Sequence, residues 1–218
     1  VTTSTDSAAR YDSVQGIFAD SVNGATLAGA TVTATFADGV SQTGTLAATR
    51  ATRSALPLAD FDFGLAMAGS TYRRPFIITN TAGTALVSLA IDLADANSVF
   101  DLTNGGRVGT PGSSLGRTVT ETGDTILDGT VAATYSGIVS VGGAAAAGDL
   151  FTQLTLDFSG TAGGGLASGT SWNFIADTDT VRPGDLQLAA VPLPAAALPF
   201  GLVLGGLAGL AGLRRRTA

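Results

Sequence analysis

Apolar and polar residues alternate along several short stretches of this 218-residue chain. In residues 30–36, Val32, Ala34 and Phe36 point one way and Thr31, Thr33 and Thr35 the other. That period of two marks a half-buried strand. Asp38-Gly39 follows and supplies the positive-φ residues of a tight hairpin, so residues 40–46 are predicted to return alongside. A second hairpin is predicted over residues 72–93. There Phe76-Ile77-Ile78-Thr79 is a short apolar run and Asn80-Thr81-Ala82-Gly83 has turn chemistry; Val87, Leu89, Ile91 and Leu93 then alternate with Ser88, Ala90 and Asp92. Residues 99–102, 131–141, 150–158 and 172–175 read as further strands. The run 150–158 is the cleanest, with Leu150, Leu154, Leu156 and Phe158 on one face. Residues 104–116 read as a Gly- and Ser-rich loop and 142–148 as a small-residue turn. No helical period separates the strands and no repeat of fixed length occurs. The expected class is all-β: an antiparallel β-sandwich or jelly-roll-like outer domain over residues 13–188, preceded by a disordered segment at 1–12.

The pattern changes after Leu188. Residues 189–195 form a linker that contains Val191, Pro192, Leu193, Pro194 and Ala195. Two prolines there each fix φ and remove a donor, so the segment is extended rather than helical or centrally stranded. Residues 195–213 carry no charge. As a helix they span about 28 Å, close to one hydrocarbon core. The expected C-terminal transmembrane helix is 196–213, and the basic tail 214–218 opens with Arg214, Arg215 and Arg216. Six Leu, one Phe and one Val contribute about −2 to −5 kcal/mol toward insertion. Five Gly and Pro199 oppose it, which suits a temporary anchor. The Arg cluster belongs on the cytoplasmic side, which puts the outer domain outside. That orientation needs an upstream signal peptide. None precedes Tyr11, so trimming of a signal peptide is the expectation, with a truncated gene prediction as the alternative. Gly201, Gly205 and Gly209 match a helix-dimerisation face, although so Gly-rich a segment produces that spacing by composition alone. A plain tail anchor is the competing reading of the whole segment.

The ordered trio of Pro-containing pentapeptide, short hydrophobic span and Arg cluster resembles the PEP-CTERM class of sorting signals. Val191-Pro192-Leu193-Pro194-Ala195 matches the VPLPA-CTERM variant in particular. Leu193 stands where the parent form has Glu, as it does in that variant. The resemblance covers residues 191–216. It implies recognition by an exosortase-type membrane transpeptidase and passage through the inner membrane, with the outer domain periplasmic. Cleavage near the motif and delivery to the cell surface or the extracellular polysaccharide matrix would follow. Ile91-Asp92-Leu93, Phe100-Asp101, residues 109–114, Gly148-Asp149-Leu150-Phe151 and residues 176–179 also look like exported proteins of that class, which implies a β-sandwich and no particular chemistry.

Composition narrows the chemistry. Seventeen acids and eight Arg lie before residue 190, and the other three Arg are the terminal cluster. An acidic domain with no Lys is a poor nucleic-acid binder, because neutralising phosphates needs clustered cations. The chain also lacks His and Cys. The usual nucleophile–base pairs, thiolate metal sites and disulfides therefore cannot be built, and no enzyme is expected. Carboxylate pairs could still act as in glycosidases, although Glu121 is the only Glu. Asp177 and Asp179, with Asp185 six residues after the second, form the leading metal candidate, on an expected loop after a strand. Alternate carboxylates suit Ca²⁺, which takes six to eight oxygens, so Ca²⁺ is the candidate cofactor. Asp149 and Asp157 could join them if the fold brings them near. Asp92, Asp95, Asn97 and Asp101 form a second acidic group. Asp equally caps turns and blunts sheet edges. Trp172 and Tyr72 could stack on a sugar, but a lone Trp in a strand is usually core. The reading is thus a non-catalytic structural or interaction domain, with a Ca²⁺-dependent carbohydrate-binding module or adhesin as the alternative.

Overall fold

The computed structural model describes residues 17–18, 22–56, 59–102, 116–123, 127–141, 146–181 and 186–188. Among them the chain is all-β. Fifteen strands form two sheets, with two 3₁₀ turns between strands, and every pairing is antiparallel.

The alternating run at residues 30–36 becomes β2 (Thr31–Phe36), whose residues are buried and half-buried in turn. Gly39 turns the chain at φ +84°, and Asp38 Oδ1 accepts from the Val40 amide at 3.0 Å. β3 (Ser41–Thr45) then returns along β2. Leu46, which is buried, carries the chain into the other sheet through β4 (Ala47–Arg50), β5 (Arg53–Ala55) and β6 (Phe63–Ala68). None of these three is legible from alternation.

The second predicted hairpin is not one. β7 (Phe76–Asn80) lies in the six-stranded sheet, in the order β10-β13-β7-β6-β5-β4, with β10 at Thr120–Glu121 and β13 at Ser171–Ile175. β8 (Leu86–Asp92) lies in the nine-stranded sheet. The turn between them is a crossover. Asn80, fully buried, donates from Nδ2 to the Thr84 and Leu166 carbonyls at 2.9 and 2.8 Å. Its Oδ1 accepts from the Ala82 amide at 3.0 Å. The Thr84 and Ala82 bonds shape the turn locally, and the Leu166 bond ties the crossover to a segment 86 residues away.

In the nine-stranded sheet β8 and β9 (Ser98–Asp101) lie end to end along β12 (Leu150–Asp157), separated by the 3₁₀ turn Ala94–Ala96 and by Asn97 at φ 48°. Beyond β8 lie β2 and then β3, whereas beyond β9 lie β14 (Thr178–Val181) and then β1 (Ile17–Phe18). β11 (Ala132–Val141) pairs with β12 and with β15 (Leu186–Leu188).

The main core is shared by both sheets, giving a sandwich-like arrangement. Phe36 of one sheet meets Phe63 of the other edge-on at 6.5 Å, and Phe158 meets Trp172 at 5.3 Å. Phe76, Phe174 and Trp172 stack within the small sheet. Each such pair adds about 0.5–1.5 kcal/mol beyond area burial. Segment 1–12, the linker 189–195, the span 196–213 and the tail 214–218 lie outside the described residues. Among the described residues no helix is long and apolar enough to cross a membrane.

Candidate metal centre

Asp177 and Asp179 sit at and on strand β14 rather than on an exposed loop, and both are buried. The reason is pairing. β14 runs antiparallel to β9 with Asp179 opposite Val99 and Thr178 opposite Phe100. One step further the Asp101 amide donates to the Asp177 carbonyl at 3.2 Å. Residues directly opposite in such a pair have Cβ atoms about 4.5–5.5 Å apart. Asp101 therefore faces Asp177 and lies diagonal to Asp179. A third segment locks the frame: Arg117 N donates to the Asp101 carbonyl at 2.8 Å, and Asp177 N to the Arg117 carbonyl at 3.0 Å. Gly116 packs so tightly on Asp101 that an added methyl would overlap the Asp101 carbonyl and Oδ1.

The outcome is a triad. Asp101, Asp177 and Asp179 each place a carboxylate oxygen within 4.8 Å of the others. All three are buried, with Asp101 and Asp179 at 0 % exposure. Each has further polar partners. Val99 and Val181 alternate onto the face that carries Asp101 and Asp179 and join Val139 and Leu150 in a small apolar cluster separate from the main core. Apolar walls lower the local dielectric and strengthen every charge interaction beside them.

The donor set fits a hard cation. Ca²⁺–oxygen distances are about 2.3–2.6 Å, so two oxygens on one ion lie within about 4.6–5.2 Å of each other. Three carboxylates supply up to six oxygens and offer no soft ligand. Asp101, Asp177 and Asp179 would hold such an ion.

The two acidic groups seen in the sequence are thus redistributed. Asp101 leaves the second group and joins the first. Asp92 accepts from the Ala94 amide and from Gln153 Nε2 at 2.9 and 2.8 Å, and Asp95 is exposed. Asp149 is buried and its carbonyl accepts from Leu102, beside Asp101, but its carboxylate is not in the triad. Asp157 is exposed on β12, where the Ser159 amide and hydroxyl hold its carboxyl below the usual range. Asp185, the sorting residues Val191, Pro192, Leu193, Pro194 and Ala195, and Arg214, Arg215 and Arg216 lie outside the described residues.

Trp172 is 1 % exposed, and its Nε1 donates to Glu121 Oε1 at 2.6 Å. It belongs to the core and offers no stacking platform. Tyr72 is the more open ring, 39 % exposed. No protein-family model matches the chain, and no curated protein or solved structure shows significant similarity to it.

Proposed function

We propose that this chain is an exported bacterial surface or extracellular-matrix protein. An exosortase-type transpeptidase sorts it through the C-terminal signal, and its β-sandwich domain has a structural or interaction role without catalysis. The observation that carries this reading is the order Val191-Pro192-Leu193-Pro194-Ala195, uncharged span, Arg214-Arg215-Arg216. Each part has a physical role in sorting, as an extended recognition segment, a weakly inserting span and a charge stop in turn. An all-β domain whose last described strand ends at Leu188, with the motif three residues on, suits delivery of a folded unit. A side-chain repertoire without His, Cys or Lys favours a non-catalytic role.

Fractionation tests it. An epitope is placed at the exposed turn 37–40, and the native chain is compared with a Pro192→Ala/Pro194→Ala variant in the host. The native chain should lose its C-terminal segment and leave the inner membrane, whereas the variant stays full-length there. Full-length protein in the inner membrane in both cases would make the segment a plain anchor and overturn the sorting reading.

A second reading concerns the domain itself: that it is stabilised by Ca²⁺ at Asp101, Asp177 and Asp179. Convergence of three buried carboxylates from separate segments favours it. Calorimetric titration of the full chain with CaCl₂ should give a one-site isotherm that Asp179→Asn abolishes; no heat in the native chain would end this reading.

A further inference from the structure

We infer that the outward face of the nine-stranded sheet is a contact surface for a neutral polyhydroxylated polymer, a glucan-like polysaccharide, centred on a trough over Ala90. The inference concerns the folded domain and is independent of the sorting reading.

The face is set by strand register. Thr31, Asp92, Gln153 and Ser136 form one rank across β2, β8, β12 and β11, and Thr33, Ala90, Thr155 and Thr134 form the next. A third rank is Thr35, Ser88, Asp157 and Ala132. β3 extends the ranks with Thr45, Thr43 and Ser41. Antiparallel sheets often leave one face to water, and β-propensity alone favours Thr on such a face. Two further features separate this one from a merely solvated surface.

First, no position in these ranks holds Arg, the one long cationic side chain that this Lys-free chain uses. The short side chains bond one another instead. The Thr33–Thr43 and Thr35–Ser41 hydroxyl pairs are each 2.9 Å apart, Ser136 donates to Gln153 Oε1 at 2.9 Å, and Gln153 donates to Asp92 at 2.8 Å. The polar groups are thereby held in place before any ligand arrives, which lowers the ordering cost of binding. Second, the small Ala90 side chain sits between Thr33 and Thr155 and opens a trough of about 220 Å³, with Thr31, Asp92 and Gln153 on its rim. Drug-sized pockets run to roughly 300–1,000 Å³, so this one suits a single ring of a longer chain.

Charge selects the ligand class. Asp92 and Asp157 are the only charged groups in these ranks, and no cation within the ranks offsets them. An anionic polymer is repelled. A neutral polyol meets hydroxyl and amide groups that donate and accept, and carboxylates that accept from its hydroxyls. Sheet twist keeps the ranks from matching a flat crystalline surface, so a flexible soluble chain fits better than a solid.

The test is affinity electrophoresis of the full chain, in a detergent without a sugar headgroup, through gels containing dextran, laminarin or alginate. The native chain should be retarded by at least one of the two neutral glucans and not by alginate. Ala90→Gln, which fills the trough without adding charge, should weaken that retardation at least tenfold. Thr33→Val/Thr155→Val, which keeps side-chain shape and removes two hydroxyls, should do the same. Near-native unfolding midpoints in both variants show that the loss is local. No retardation by either neutral glucan, equal retardation of native chain and folded variants, or retardation by alginate overturns the inference. A folded Thr33→Val/Thr155→Val variant decides the matter if Ala90→Gln does not fold.

Discussion

Chelation of divalent cations should lower the thermal stability of the domain, and the size of the effect follows from the donor set. A ligand bound only to the native state stabilises it by RT ln(1 + [L]/Kd). With the proposed surface location, the range to use is that of calcium sites in extracellular modules, Kd of about 10⁻⁴–10⁻³ M. At ~10 mM CaCl₂ that is a ten- to hundredfold excess, or about 1.4–2.7 kcal/mol. For a domain of this length each kcal/mol moves Tm by about 2–4 °C, so the expected shift is about 3–11 °C. The assay is thermal unfolding of the full chain in detergent, followed by emission of Trp172, the sole tryptophan, which is buried between Phe158 and Phe174. The native chain should melt at higher temperature with CaCl₂ than with EDTA. Asp101→Asn and Asp179→Asn, which keep side-chain shape, should lose the difference between the two buffers whatever their absolute Tm. An identical Tm in both buffers for the native chain would refute the reasoning. So would a calcium shift that survives in both variants, because the ion would then sit elsewhere.

Three further outcomes are expected. Asn80→Ala removes three hydrogen bonds at a buried crossover and should cost about 2–4 kcal/mol in urea unfolding; a loss below ~1 kcal/mol would show that the turn holds without its side chain. Tyr135 accepts a hydrogen bond from the Val119 amide at 2.9 Å, but burial outweighs that bond and raises the phenol pKa. Its contribution is present below the unfolded value near 10 and lost as pH rises through the folded one, so native Tm should fall above pH ~10 more steeply than Tm of Tyr135→Phe; parallel curves from pH 8 to 12 would contradict this. Glu121→Ala leaves the Trp172 indole N–H and the Leu127 amide without their shared acceptor and should cost about 1–3 kcal/mol in the same urea assay, with Glu121→Gln intermediate; equal midpoints for all three proteins would assign the two bonds no net worth.

Where the sequence is legible, one side chain in two is apolar and the turn residue is forced. β2 shows its buried face as Val32, Ala34 and Phe36, and Asp38-Gly39 closes the hairpin because glycine tolerates φ +84°. The same reasoning fails at Asn80-Thr81-Ala82-Gly83. The residues are equally turn-like, yet the Asn80 amide is spent on carbonyls at Thr84 and Leu166, and the chain crosses to the other sheet. A local pattern cannot record a partner 86 residues away. β6 is missed for a different reason: five of the six residues in Phe-Gly-Leu-Ala-Met-Ala are buried or half-buried, so period two never shows.

The triad divides along the same line. Asp177 and Asp179 are legible as a pair because alternate carboxylates can reach one ion, although the sequence reads them on a loop and the fold puts them beside and on β14. Asp101 is legible only as an acid in another group, since nothing local to Phe100-Asp101 says that β9 will pair with β14. Their environment is the opposite of what the local residues suggest. Two carboxylates flanking Thr178 look like a solvated loop, yet Thr178, Asp179 and Val181 are buried because β14 lies between β9 and β1 rather than at a free edge. That placement gives the cluster its chemical weight. An exposed acidic pair is screened by water and salt, whereas three carboxylates within 4.8 Å beside Val99, Val139, Leu150 and Val181 must be compensated by their surroundings or by a cation. The EDTA comparison separates those two, since compensation by the protein alone leaves Tm unmoved.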